Sequence, residues 1–187
     1  MADPRVPRFE LHIRPLMRWI DRHNMRSLDA ASSIDLWDYD SVRGKATKII
    51  TRLGHGMPPE THGGPWPQEW IDLFVRWKNA EFPRLELATA SEFKIERDGV
   101  GFITIRMSGS VPQTGYQVWL DSEQRVDLPN LYVVYQEGPD SPAGPVETFV
   151  IEEFLPDPGP DITSFTIRDS AGEHVIAISP LAPGPVA

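Results

Sequence analysis

Apolar residues recur at three- and four-residue steps through the first half of the chain and at two-residue steps through the second. From Leu11 to Met25, Ile13, Leu16 or Met17, and Ile20 fall on one side of a helix. Between Asp40 and Gly54 the spacing is repeated by Val42, Ala46, Ile49 or Ile50, and Leu53. Asp38, Asp40 or Ser41 is placed to cap this second helix, and Gly54 or Gly56 to close it. A third helix is expected from Pro67 to about Ala80. Proline suits the first turn, Glu69 and Asp72 suit the positive end of the dipole, and Trp70, Leu73 or Phe74, and Trp77 form the inner stripe.

After Pro83 and Ala90 the period changes. Seven short segments rich in β-branched and aromatic residues follow: Phe93–Arg97, Gly101–Met107, Gly115–Leu120, Leu131–Gln136, Glu147–Glu152, Thr163–Arg168 and His174–Ile178. Gly, Pro, Asp and Ser separate them, and Asp98-Gly99 is a hairpin signal. The expected fold class is α+β with two segregated domains. Residues 1–90 form a three-helix domain, and residues 91–187 form an antiparallel β-sandwich of about seven strands resembling immunoglobulin or fibronectin domains. Trp119 is expected in the sandwich core. Gly138–Pro145 and Pro156–Pro160 read as long loops, and the Pro/Gly-rich tail after Leu181 as frayed.

Charge reinforces the division. Residues 1–90 hold 13 Lys and Arg against 12 Asp and Glu, whereas residues 91–187 hold 5 against 15. The net charge of −9 disfavours nucleic acid and anionic membrane surfaces as partners, because both are bound by neutralising phosphate with Lys and Arg. No apolar run reaches the roughly 20 residues of a membrane span, and Met1–Arg8 has no signal-peptide core, so a cytoplasmic location is expected. Cysteine is absent, which excludes disulfides, thiolate metal sites, cysteine nucleophiles and thioether-linked haem.

The densest polar and aromatic stretch runs from His55-Gly56-Met57-Pro58-Pro59 to His62-Gly63-Gly64-Pro65-Trp66, between the second and third helices. At 12 residues it is long for a helix connection. Ile13-x-Pro15-Leu16, a helix ending near Arg52-Leu53, Gly56-Met57-Pro58-Pro59 and a Trp-bearing helix before Pro83 together resemble a small bacterial class I cytochrome c domain, over about residues 9–84. In that family the methionine of the loop is the distal haem ligand, and Met57 occupies its position. Where the family carries its haem-attachment motif, this chain reads Asp21-Arg22-His23-Asn24-Met25. The resemblance therefore implies the three-helix frame without covalent haem, and no cofactor is expected.

A frame that has lost its haem must fill its centre or leave it open. One reading packs Met57 and most of Trp19, Trp37, Trp66, Trp70 and Trp77 there. The other retains a pocket, with Met57, Trp37, Trp66 and Trp70 as ligand contacts. His23, Asp21 and Asp38 are the candidate catalytic groups, and His55 and His62 the candidate metal ligands. Asp38 or Asp40 has an equally good use as a helix cap, and His55 sits well at the end of a helix dipole. Two function classes follow. The first is a non-enzymatic accessory protein that binds another protein, guided by the acidic half toward a basic surface. The second is a small cofactor-independent or metal-assisted enzyme with its pocket at the vacated haem position or the domain junction.

Overall fold

A computed structural model describes residues 6–27, 33–123, 130–139 and 144–180. The tail after Leu181 and the middle of the Gly138–Pro145 loop lie outside these residues. The chain divides into two compact units, Met1–Leu85 and Glu86–Ala187. It is α+β, with the helices in the first unit and a strand-rich, curled sheet in the second.

Three α-helices are present among the described residues: α1 (Trp19–Arg26), α2 (Tyr39–Leu53) and α3 (Gln68–Asn79). The continuous helix expected from Leu11 to Met25 is broken. A π-helical turn, Phe9–Ile13, and a 3-10 turn, Arg14–Leu16, precede an extended Met17 and then α1. Pro15 accounts for the break, because it has no N–H to give the Leu11 carbonyl and its ring presses against that carbonyl. Phe9, Ile13 and Met17 are nevertheless all buried. In α1 the buried residues are polar, Asp21 and Arg22. Arg22 lies 4.0 Å above the Trp37 ring and makes a two-point ion pair with Asp35, at 2.9 and 3.1 Å.

In α2 the buried stripe is Val42, Ala46, Ile49 and Leu53. Asp38 is its N-cap, accepting a hydrogen bond from the Ser41 amide at 2.8 Å. In α3, Phe74 and Trp77 are fully buried, and Trp77 is surrounded by Phe9, Tyr39, Phe74 and Phe82. Its indole N–H donates to the Pro83 carbonyl at 2.8 Å, and the Tyr39 hydroxyl donates to the Phe82 carbonyl at 2.8 Å. These bonds hold Glu81 and Phe82 in left-handed backbone conformations, φ 65° and 64°, which only a well-determined environment sustains in non-glycine residues.

The second unit contains β1 (Glu86–Leu87), β2 (Thr89–Arg97), β3 (Phe102–Val111), β4 (Gln117–Ser122), β5 (Leu131–Glu137), β6 (Glu147–Pro156), β7 (Ser164–Asp169) and β8 (Gly172–Pro180). Each expected segment overlaps a strand. The hydrogen-bonded order is β1-β5-β7-β8-β2-β3-β6, with β4 on the opposite side of β5 from β1 and β7. Two pairings, β2 with β8 and β5 with β7, are parallel, so the sheet is mixed and not antiparallel throughout. β8 pairs β7 as far as Ala177 and then β2 from Ile178. The core is a period-two set: Ile95 from β2, Ile103, Ile105 and Met107 from β3, Val134 from β5, Ile151 from β6, and Phe165 and Ile167 from β7. Trp119 does not belong to it. Val118 and Leu120 pack against that core, and the alternation turns Trp119 the other way, half-buried and 6.3 Å from Tyr135.

The β7–β8 turn is organised by Asp169, which is 1% exposed. Its carboxylate accepts from the amides of Ala90, Ala171 and Gly172 and from the His174 ring at 3.0 Å. Burial alone would raise its pKa, but the hydrogen bonds from His174, Ala90 and Ala171 outweigh it and hold the group below the ordinary aspartate value. A depressed folded-state pKa gives stability that is complete above the unfolded value and lost as pH falls through the folded one. We therefore expect Asp169→Asn to cost about 1–3 kcal/mol at neutral pH, the scale of an impaired buried hydrogen-bond set. It should also flatten the loss of stability on acidification below the ordinary aspartate range. Urea unfolding across an acidic pH series reads both effects, and parallel wild-type and variant curves would refute the assignment.

Candidate functional site

The helical unit carries a cavity of about 260 Å³ that is open to solvent on one side. Its floor and walls are apolar. Met17 precedes α1 and Met25 belongs to it, Ile49 and Leu53 come from α2, and Ile34 and Leu36 come from the segment that leads into α2. The α2–α3 loop adds Met57, Pro58, Pro59 and Trp66. The polar groups are few: Asp21 and Asn24 from α1, Lys48 and Arg52 from α2, and His62 from the loop.

Arg18 and Asp21 set the position of the loop. Both Arg18 nitrogens that face Asp21 donate to its carboxylate, at 2.8 and 2.9 Å, and the same guanidinium donates to the carbonyls of Gly63 at 2.6 Å and Gly64 at 3.1 Å. The Asp21 hydrogen bond raises the Arg18 pKa further. Glycine is required at this clamp. Gly63 and Gly64 have φ of 94° and 74°, and a Cβ on Gly63 would come within 3.0 Å of the Arg18 guanidinium. Trp66, 6% exposed, aims its indole N–H at the same carboxylate, 3.4 Å away. Asp21 is the one carboxylate among the described residues that line the cavity, and Arg18 engages both its oxygens.

The residues singled out from sequence divide accordingly. Asp21, Met57, His62 and Trp66 line the cavity; His23, Asp38, His55, Trp37 and Trp70 do not. His23 is exposed and stacks on Trp19 at 5.1 Å, and Trp19 itself is 66% exposed, so neither packs in the centre. Asp38 caps α2. Trp37 donates its indole N–H to the Met17 carbonyl, and Trp70 meets Trp66 edge-on at 5.7 Å. Of the tryptophans, Trp66 alone lines the cavity, while Trp77 is fully buried in the aromatic cluster around Phe9, Tyr39, Phe74 and Phe82. His55 donates to the Thr51 carbonyl at 2.6 Å, and His62 shares a hydrogen bond with the Thr61 hydroxyl at 3.0 Å. Among the described residues no three His, Cys, Asp or Glu side chains gather to hold a metal ion. No helix among them is long and apolar enough to cross a membrane.

Sequence reasoning missed Arg18, Asn24, Lys48 and Arg52. A signal existed for the last two, since they stand one helical turn apart beside the buried Ile49 and Leu53. For Arg18 and Asn24 there was none, because their roles depend on how the loop folds back over α1. No family model, curated protein or solved structure matches this chain.

Proposed function

We propose that the protein is a non-enzymatic accessory protein whose helical unit binds a small, largely apolar molecule. The cavity carries this reading: about 260 Å³ of space walled by Met, Ile, Leu, Pro and Trp side chains. An engineered cavity of about 150 Å³ accommodates benzene, so this one suits roughly ten non-hydrogen atoms, several times fewer than a porphyrin has. Three methionines give the wall adaptable, polarisable surface suited to ligands of irregular shape. Binding is favoured over acid–base catalysis because Asp21, the carboxylate a mechanism would draw on, has both oxygens committed to Arg18.

On this reading the helical unit is a cytochrome c-like frame reused without haem, joined to a sandwich-like β unit in which β8 serves both halves. The acidic residues of the second unit supply the surface for a protein partner of basic character. Methyl NMR of the methionines tests the binding step. Titration with toluene, an uncharged probe, is expected to shift the methyl resonances of Met17, Met25 and Met57 and leave Met107, in the β core, unmoved. Resonances that stay fixed at saturating toluene would remove the basis for the proposal.

A further inference from the structure

Lys48 and Arg52 both line the cavity, both are exposed, and they stand one turn apart on the same side of α2. Lining and exposure together place their aliphatic stems along the wall and their charged ends at the mouth. No carboxylate among the described residues pairs with either. Every other cation that meets a carboxylate at this end of the unit is committed: Arg18 to Asp21, and Arg22 and Arg26 to Asp35. The cavity therefore has an apolar interior, a neutral amide on Asn24, an imidazole on His62, a carboxylate already neutralised by Arg18, and two solvent-exposed cations that no carboxylate among the described residues pairs.

We infer that the ligand is a small amphiphilic carboxylate, its apolar body in the cavity and its anionic head held between Lys48 and Arg52. The inference rests on the cavity reading above and adds the chemical class of the occupant. Arg52 offers the planar fork that matches a carboxylate, and Lys48 adds a second charge without fixing geometry. A neutral ligand of the same shape would leave both cations solvated and gain nothing from them. A dianion or a long acyl chain would exceed the charge or the volume that the site presents, which is room for roughly ten non-hydrogen atoms.

Octanoate and 1-octanol share an apolar body and differ in the head, so comparing them separates the two proposals. In calorimetric and methionine-methyl titrations octanoate is expected to bind about fivefold to tenfold more tightly than octanol at low ionic strength, the scale of two exposed ion pairs. The preference should shrink as added salt screens the rim. In the double variant Lys48→Gln, Arg52→Gln the preference for octanoate over octanol is expected to disappear, and octanol should still shift the Met17 and Met25 methyl resonances, which shows that the cavity is intact. Glutamine is nearly as good a helix former as either residue it replaces, so α2 is preserved. Equal binding of both ligands to the wild type, or a preference that survives in the double variant, would overturn the carboxylate inference and leave the cavity reading standing. Failure of both ligands to bind would overturn both.

Discussion

Replacing Trp77 with alanine is expected to destabilise the helical unit by about 4 kcal/mol, the middle of the range for deleting a buried indole. Trp77 is fully buried, and four aromatic rings lie against it: Phe82 at 5.0 Å, Phe74 at 5.4 Å, Phe9 at 5.5 Å and Tyr39 at 6.2 Å. These rings come from the first turn of the chain, the start of α2, α3 itself and the segment after α3, so the void would sit where all four meet. The Pro83 carbonyl would keep the Phe9 amide, at 3.0 Å, and lose the other of its two donors, the Trp77 indole N–H. That bond matters beyond its own strength, since it helps to keep Glu81 and Phe82 in their left-handed conformations. Trp77→Phe should cost about half as much, because it keeps most of the edge-to-face contacts and loses the hydrogen bond. Urea unfolding followed by tryptophan emission measures the change, as five of the six tryptophans lie in this unit. A loss below about 1 kcal/mol for the alanine variant would mean that this cluster does not organise the unit.

The second large effect is expected at Asp21. Alanine there removes the acceptor for two Arg18 nitrogens and leaves a guanidinium, about a quarter exposed, holding only the Gly63 and Gly64 carbonyls. Loss of one partner from such a pair costs about 2–3 kcal/mol, less than for a fully buried pair because water reaches Arg18. Asp21→Asn keeps an oxygen acceptor and should fall between wild type and Asp21→Ala. The same substitution is expected to loosen the α2–α3 loop, so toluene should bind several-fold more weakly even where the variant remains folded. Unfolding curves and the Met57 methyl titration give the two readouts. A variant with wild-type stability and wild-type toluene affinity would show that the clamp does not shape the cavity.

Much of the architecture was legible in the sequence because two periodicities are physically distinct. The stripe Val42, Ala46, Ile49 and Leu53 is buried as spaced, and the β segments alternate as a pleated strand must. The same rule corrects the expectation for Trp119. Val118 and Leu120 have the parity of the core, so the residue between them faces away, however hydrophobic it is. The first helix was misread because apolar spacing alone ignores that Pro15 cannot join an α-helical ladder. Of the site, the loop around Met57 and the carboxylate at Asp21 stand out in the sequence, which leaves open whether the space beneath the loop is packed or retained as a pocket. A void is a property of how three segments fail to meet, and no single segment encodes it. The histidines drew attention as titratable groups, yet His23 and His55 have local partners on the surface that any helix end or aromatic neighbour can provide.

The strand β8 carries a consequence for how the protein is made. It joins β7 to β2 and follows both in the order of synthesis, with Ile178 meeting Ile95 from far along the chain. Contacts between such distant residues form slowly, because the loop between them must close before they contribute anything. Until β8 emerges from the ribosome, β2 and β7 each present a strand edge without its neighbour, and such edges are what incomplete chains use to stick to one another. The β unit is thus one whose solubility during biosynthesis depends on its latest strand, and a brief association with a chaperone at that stage would protect the edges that β8 later covers.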